Sequence, residues 1–187
     1  MSLRRRDILF ILMIPALLLA ALLQSTALVR VQLLDVKPDL VLIMVIIGTL
    51  VFGIRHSIAW AFAGGLAIDL FSGGPMGASS LALIVAAVVV SPGHRTLSRF
   101  NLFVPLVAAA VGTLAYGVTY MVILLLLNVT IALPFFEGLN LLAARPSLPL
   151  LPTLQYVVLP SIAYNTLLML LLTPLLNLIP ESHDVSV

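Results

Sequence analysis

Uninterrupted apolar runs, separated by short polar connectors, organise this chain from end to end. The first, Ile8 to Val29, carries no charge. At about 1.5 Å per residue it is long enough to cross a hydrocarbon core of roughly 30 Å, and it predicts a membrane helix. Leu40 to Ile54 and Ser57 to Phe71 flank Arg55-His56 and predict a tight helical hairpin, and residues 78–91 form another run after Ser72-Gly73-Gly74-Pro75. These three runs lie near or below the lower limit of about 17 residues for a span. That length fits tilted helices in thin membrane, spans whose ends are protected by protein, or one re-entrant segment. Residues 102–127 and 156–179 are long again, the second despite Pro160 and Pro174, because interior prolines are tolerated in membrane helices. Between them Pro134, Pro146, Pro149 and Pro152 oppose a continuous helix over 128–155 and predict a segment lying along the outer interface. The expectation is an all-α, polytopic integral membrane protein: one transmembrane domain over 1–187, six spans and no sizeable soluble domain.

Composition agrees: 62% of residues are hydrophobic and 9% charged, with a mean hydropathy of +1.24, whereas a soluble domain carries about a quarter charged residues. Lipid is therefore the predicted solvent for most of the surface. The start, Arg4-Arg5-Arg6 and then an apolar run, resembles a signal peptide, but Gln24-Ser25-Thr26 replaces a small-residue cleavage site. Short loops rich in Lys and Arg stay cytoplasmic. Six spans put both termini on one side, together with Arg4, Arg5, Arg6, Arg55, Arg95 and Arg99, and leave Arg30, Lys37 and Arg145 on the other. Both termini are thus expected in the cytoplasm.

Charge and motifs exclude several functions. The net charge of +2 forms no basic face for nucleic acid, and the absence of Cys removes disulfides, thiolate metal sites and cysteine nucleophiles together. His56, His94 and His183 fall in separate connectors or the tail, which predicts loops and no metal ligation. No zinc-binding His-Glu-x-x-His, nucleophile elbow or phosphate loop is present, so no enzyme, cofactor or metal is expected. Asn128-Val129-Thr130 matches a glycosylation sequon that arises often by chance. Ala16 and Ala20, and Ala109, Thr113 and Gly117, repeat every four residues, a spacing that lets helix backbones approach closely in lipid, within the chain or against a partner.

The informative region is Lys37-Pro38-Asp39-Leu40 together with Gly65 to Gly77. Asp39 stands where the second helix begins, so its carboxylate can accept backbone N–H groups and complement the positive end of the dipole, while Pro38 sets the chain's direction. Asp69 stands near the end of the third helix, where the dipole disfavours negative charge and lipid makes a carboxylate costly. It needs a partner. Lys37 is the candidate cation, and Ser72-Gly73-Gly74 is expected to make a sharp turn that donates amides to the same oxygens, with Gly77 permitting close approach where the chain re-enters. The alternative is an Asp capping an exposed turn.

With this basic-Pro-Asp start, the pattern Gly65-x-x-x-Asp69-Leu70-x-Ser72-Gly73 and the later Gly77, the chain resembles the MreD family of bacterial rod shape-determining proteins. The likeness is best over Gln24 to Ser91, and beyond Asn101 it lies in hydropathy alone. It implies a non-enzymatic, multi-pass scaffold subunit in the bacterial inner membrane, part of the elongation machinery (elongasome) for peptidoglycan synthesis. It also implies direct binding of the scaffold MreC, association with MreB, RodA and a penicillin-binding transpeptidase, contact with membrane lipids, and a part in cell shape. Its candidate structural or partner-binding residues are Lys37, Pro38, Asp39, Asp69, Ser72, Gly73, Gly74 and Gly77.

Two other classes match in size and hydropathy. One is the substrate-binding membrane subunit of an energy-coupling-factor vitamin transporter, in which Ala16 and Ala20 would dock a transport partner. The other is a lipid-handling protein whose short helices bound a cavity for an acyl chain or polyprenyl carrier.

Overall fold

The computed structural model describes residues 5–26, 38–96, 102–126 and 153–176, and among them every regular element is helical. These elements are α1 (Arg5–Thr26), α2 (Leu40–Phe52), α3 (Ile54–Ser72), α4 (Ala78–Val90), the short α5 (Gly93–Thr96), α6 (Phe103–Leu126) and α7 (Leu159–Leu176), the last continuing a π-helical turn over Leu154–Val158. Lys37, His183, the Asn128 sequon and most of the Pro-rich segment lie outside the described residues.

The boundaries differ from the apolar runs in instructive ways. α1 begins at Arg5, so three polar residues belong to the helix ahead of the run that starts at Ile8. The hairpin between α2 and α3 is not Arg55-His56 but Gly53 alone, with φ +80° and ψ 173°, a conformation essentially reserved for glycine. Arg55 and His56 lie inside the first turn of α3, because both residues are compatible with helix and only Gly53 breaks it. The π-helical turn that leads into α7 starts at Leu154, earlier than Tyr156. Pro160 has no N–H to offer the preceding turn, which widens, and the Leu159 N–H bonds Leu154 O.

α2 touches every other helix and forms the centre of the bundle. Its apolar residues face all round, and Val41, Leu42, Ile43, Val45, Ile46 and Leu50 are buried. A buried helix must have its terminal backbone groups satisfied by neighbours. At the carboxyl end, Gly53 N–H donates to Thr49 O (3.0 Å), His94 Nδ1 to Leu50 O (2.7 Å) and His56 Nδ1 to Phe52 O (3.3 Å). Thus His94, expected in a loop, sits in α5 and caps α2.

Small residues bring the helices close. Gly48 makes room for the Trp60 ring, Gly64 for Val41, and Gly112 for Ile46 and Val90. The Ala109, Thr113, Gly117 row serves internal contact: Ala109 and Thr113 are buried, and Gly117 lies against Val158. Ala20 is likewise buried within the chain.

The outer surface is apolar while polar side chains lie inside. Leu19, Val88, Phe103, Leu114, Val122 and Leu171 are exposed, whereas Thr49, Ser57, Asp69, Ser79, Ser80, Thr113, Asn165 and Thr173 are buried. Several of these hydroxyls donate to the carbonyl four residues back, as Thr49 does to Val45 O and Thr113 to Ala109 O (both 2.7 Å). A soluble monomer rarely exposes so much contiguous apolar surface, so this inverted arrangement fits a membrane protein. Two stretches, Phe103–Leu126 (24 residues) and Leu154–Pro174 (21 residues), are long and apolar enough to cross a bilayer. α2 and α4, at 13 residues each, reach about 20 Å at 1.5 Å per residue.

Candidate functional site

Both short helices begin at the same end of the bundle, and a carboxylate organises each beginning. Asp39 is the N-cap of α2: its Oδ1 accepts from Leu42 N–H (3.0 Å), and its backbone carbonyl accepts from Ile43 N–H (3.1 Å). Two further amides there are met from other helices. Asp39 N–H donates to Asn165 Oδ1 of α7 (2.9 Å), and Val41 N–H points at Gln24 Oε1 of α1 (3.4 Å). Asn165 Nδ2 in turn donates to Thr113 Oγ1 of α6 (3.2 Å). One buried side chain thereby ties the start of α2 to both long apolar helices.

Asp69 is 1% exposed near the end of α3, and its carboxylate reaches across the turn to the start of α4. Oδ2 accepts from Gly77 N–H (2.7 Å) and Oδ1 from Ser79 N–H (3.1 Å). The donors are therefore not the Ser72-Gly73-Gly74 amides: Gly73, left-handed at φ +69°, gives its N–H to the Asp69 backbone carbonyl (3.1 Å) and closes α3. The unfavourable dipole of α3 is offset by the favourable one of α4, whose first amides the carboxylate receives. The expected cation, Lys37, lies outside the described residues.

Between these two starts opens a cavity of about 440 Å³. The ends of α1 and α3 supply Gln24 and Ser72; the starts of α2 and α4 supply Asp39 and Ser79. α6 contributes Thr113, Tyr116 and Tyr120, the two tyrosines stacked at 6.0 Å, and α7 with its π turn contributes Val157, Val158, Ser161 and Asn165. Ala21, Ile68, Met121 and Leu124 complete an apolar portion of the wall. Tyr120 also reaches the α3–α4 turn, where a Cβ added at Gly74 would stand 3.2 Å from its hydroxyl. Apolar walls with a few convergent polar groups are the usual composition of a binding site.

Of the residues singled out in the sequence, Asp39 and Ser72 line the cavity, while Asp69, Gly73, Gly74 and Gly77 shape the adjoining turn, and Pro38 precedes the α2 cap. Asn165, Tyr116, Tyr120 and Ser79 were missed. A lone Asn within an apolar run is a signal for an interhelical hydrogen bond and marks Asn165. The tyrosines carry no comparable local signature.

Residues 5–180 match a family model described as rod shape-determining protein MreD. Comparisons with curated proteins and with solved structures return no match.

Proposed function

Because the chain belongs to the MreD family of rod shape-determining proteins, we propose that it is a non-enzymatic, six-span subunit of the elongation machinery that holds MreC. The family match over residues 5–180 carries this reading. In it, the apolar outer helices receive the membrane anchor of MreC and the cavity receives its membrane-proximal segment. MreB, RodA and a penicillin-binding transpeptidase join the same assembly through that scaffold. The work done is binding: MreC is kept in a conformation or location useful for peptidoglycan synthesis and rod shape.

The direction of the helices supports the placement. The ends of α1, α3 and α6 and the starts of α2, α4 and α7 meet around the cavity, so successive helices run in opposite directions. With both termini in the cytoplasm, as the arginines favour, the cavity faces the outer side of the inner membrane. Single cysteines in this Cys-free chain test it: Ser2→Cys, Ser98→Cys and Ser182→Cys should resist an impermeant thiol reagent in intact cells, and Ser147→Cys should react. External labelling of Ser182→Cys rejects the even span count.

The function itself is tested by capture from native membranes. MreC is expected to co-purify with the tagged chain, and depletion of the chain should round the rods. Cells that keep their shape, with no MreC in preparations that preserve membrane assemblies, would overturn the reading. The vitamin-transporter alternative draws support from the cavity, and a small molecule retained through purification would favour it. Burial of Ala20 within the chain removes half of the small-residue pair proposed to dock a transport partner.

A further inference from the structure

We propose that the protein thins the bilayer along one side: the lipid-facing surface of α4 takes phospholipids of short acyl chain, while α6 beside it is matched to membrane of full thickness. The two helices pack together but differ in length, at 13 and 24 residues. Their register shows where the difference falls. Gly112 of α6 is level with Val90, the last residue of α4, since a Cβ added at Gly112 would stand 3.0 Å from Val90 Cγ2. From Gly112, α6 reaches back to its first residue, Phe103, about 14 Å further toward the end of the bundle opposite the cavity. Past Val90 the other chain segment leaves the helix. Ser91 and Pro92 form a turn, Gly93 comes level with Val104 of α6, and His94 follows with its bond to Leu50 O. Pro92 and His94 are exposed, and Ser91 and Gly93 are half-buried. Non-helical backbone does not face lipid hydrocarbon, so this turn requires water or headgroups. Over the same depth α6 exposes Val107 and Val111, with Phe103 just beyond, and these require acyl chains. The boundary of that leaflet must therefore step toward the bilayer centre between α6 and α4.

α3 repeats the short dimension beside α4, to which it is joined where Gly65 lies against Ser80. Its exposed large apolar side chains run from Ile58 to Phe71, about 20 Å at 1.5 Å per residue, and Arg55 and His56 are exposed just before them. α4 exposes Leu81, Val85, Val88 and Val89 and is itself about 20 Å long. On α6 the exposed apolar surface extends from Phe103 to Leu126, about 35 Å. Against a hydrocarbon core of roughly 30 Å, α6 spans with some tilt, whereas α3 and α4 fall short by about a third. Tilting α4 would reduce the depth it covers still further. The mismatch is met by thinning the bilayer or by gathering lipids that already form a thin one.

The test reads lipid preference separately on the two faces of the full chain in phosphatidylcholine vesicles. Val85→Trp on α4 and Leu114→Trp on α6 each place one indole at an exposed position, and the signal of Trp60, buried and common to both, is subtracted with the unsubstituted chain. Quenching by brominated phosphatidylcholine in competition with dioleoyl phosphatidylcholine gives a relative binding constant for each chain length. At Val85→Trp, dimyristoleoyl chains should be preferred to dierucoyl chains by about twofold or more, whereas Leu114→Trp should favour the longer chains. Val88→Trp is the second α4 reporter and serves if the first variant fails to fold. The same chain-length preference at both helices would overturn the step. So would an α4 reporter that no brominated lipid quenches, since that face would then be covered by protein. The chain is tested without MreC, so either result leaves the reading of its function to be judged by the capture experiment alone.

Discussion

Asp69→Ala is expected to destabilise the protein by about 3 kcal/mol or more, among the largest losses available from any single side chain in the bundle. The carboxylate receives the Gly77 and Ser79 amides, and a hydrogen bond to a charged group contributes about 1.5–3 kcal/mol. Truncation leaves the buried Ser79 amide and the partly buried Gly77 amide at the start of α4 without their acceptor. Asp69→Asn should cost less, since its amide oxygen still serves one donor while its NH₂ faces the other. The check is equilibrium unfolding in detergent with increasing denaturing surfactant, together with proteolysis of the α3–α4 turn, which should become the first site cut. Equal stability of Asp69→Ala and the wild type would show that the clamp is not what holds α4. A cycle with Lys37→Met separates the amide clamp from the ion pair: if the amides account for the carboxylate, losses from Asp69→Asn and Lys37→Met add.

What could be read from the sequence was what depends on one stretch of chain at a time. The apolar runs marked α6 and most of α1 and α7, and Asp39 after Pro38 marked the cap of α2, because capping involves residues three apart. Asp69 was recognisable as a carboxylate in need of donors, but not which donors. Its own turn was the near choice, while the amides of Gly77 and Ser79, eight and ten residues on, come within reach only once α4 folds back along α3. The same holds for Asn165, whose partners Asp39 and Thr113 are 126 and 52 residues away. Gly53 was hidden for another reason. The neighbouring pair Arg55-His56 is the more conspicuous break in an apolar run, yet hydropathy records solvent preference and the backbone bends where φ is free. A cavity bounded by the short helices was among the alternatives, but its lining could not be read because it is divided among six helices, and no run of sequence contains it.

Gly65→Ala should be more damaging than Gly64→Ala, though the two glycines are adjacent and the change is the same methyl group. A Cβ at Gly64 would meet Val41 Cγ1 at 2.9 Å and Leu17 Cδ2 at 3.5 Å, both ends of side chains that can shift. A Cβ at Gly65 would land on the backbone N and Cα of Ser80, which cannot move without α4. Each substitution gains about 1 kcal/mol of helix propensity, and each pays for overpacking, which costs about 1–3 kcal/mol and occasionally more. For Gly64→Ala these terms nearly cancel. For Gly65→Ala they do not, because separating α3 from α4 also stretches the Ser80 Oγ to Phe62 O bond (3.0 Å) and the clamp one turn away, where Asp69 lies four residues beyond Gly65 on the same face. Losses at Gly65 and Asp69 should therefore fall short of additive, since opening the crossing already weakens the clamp. Folded yield by size-exclusion profile and unfolding midpoint in surfactant give the comparison. The expected order is wild type close to Gly64→Ala, with Gly65→Ala about 3 kcal/mol or more below both. A Gly65→Ala protein as stable as Gly64→Ala would mean that α3 and α4 do not touch through their backbones at Ser80.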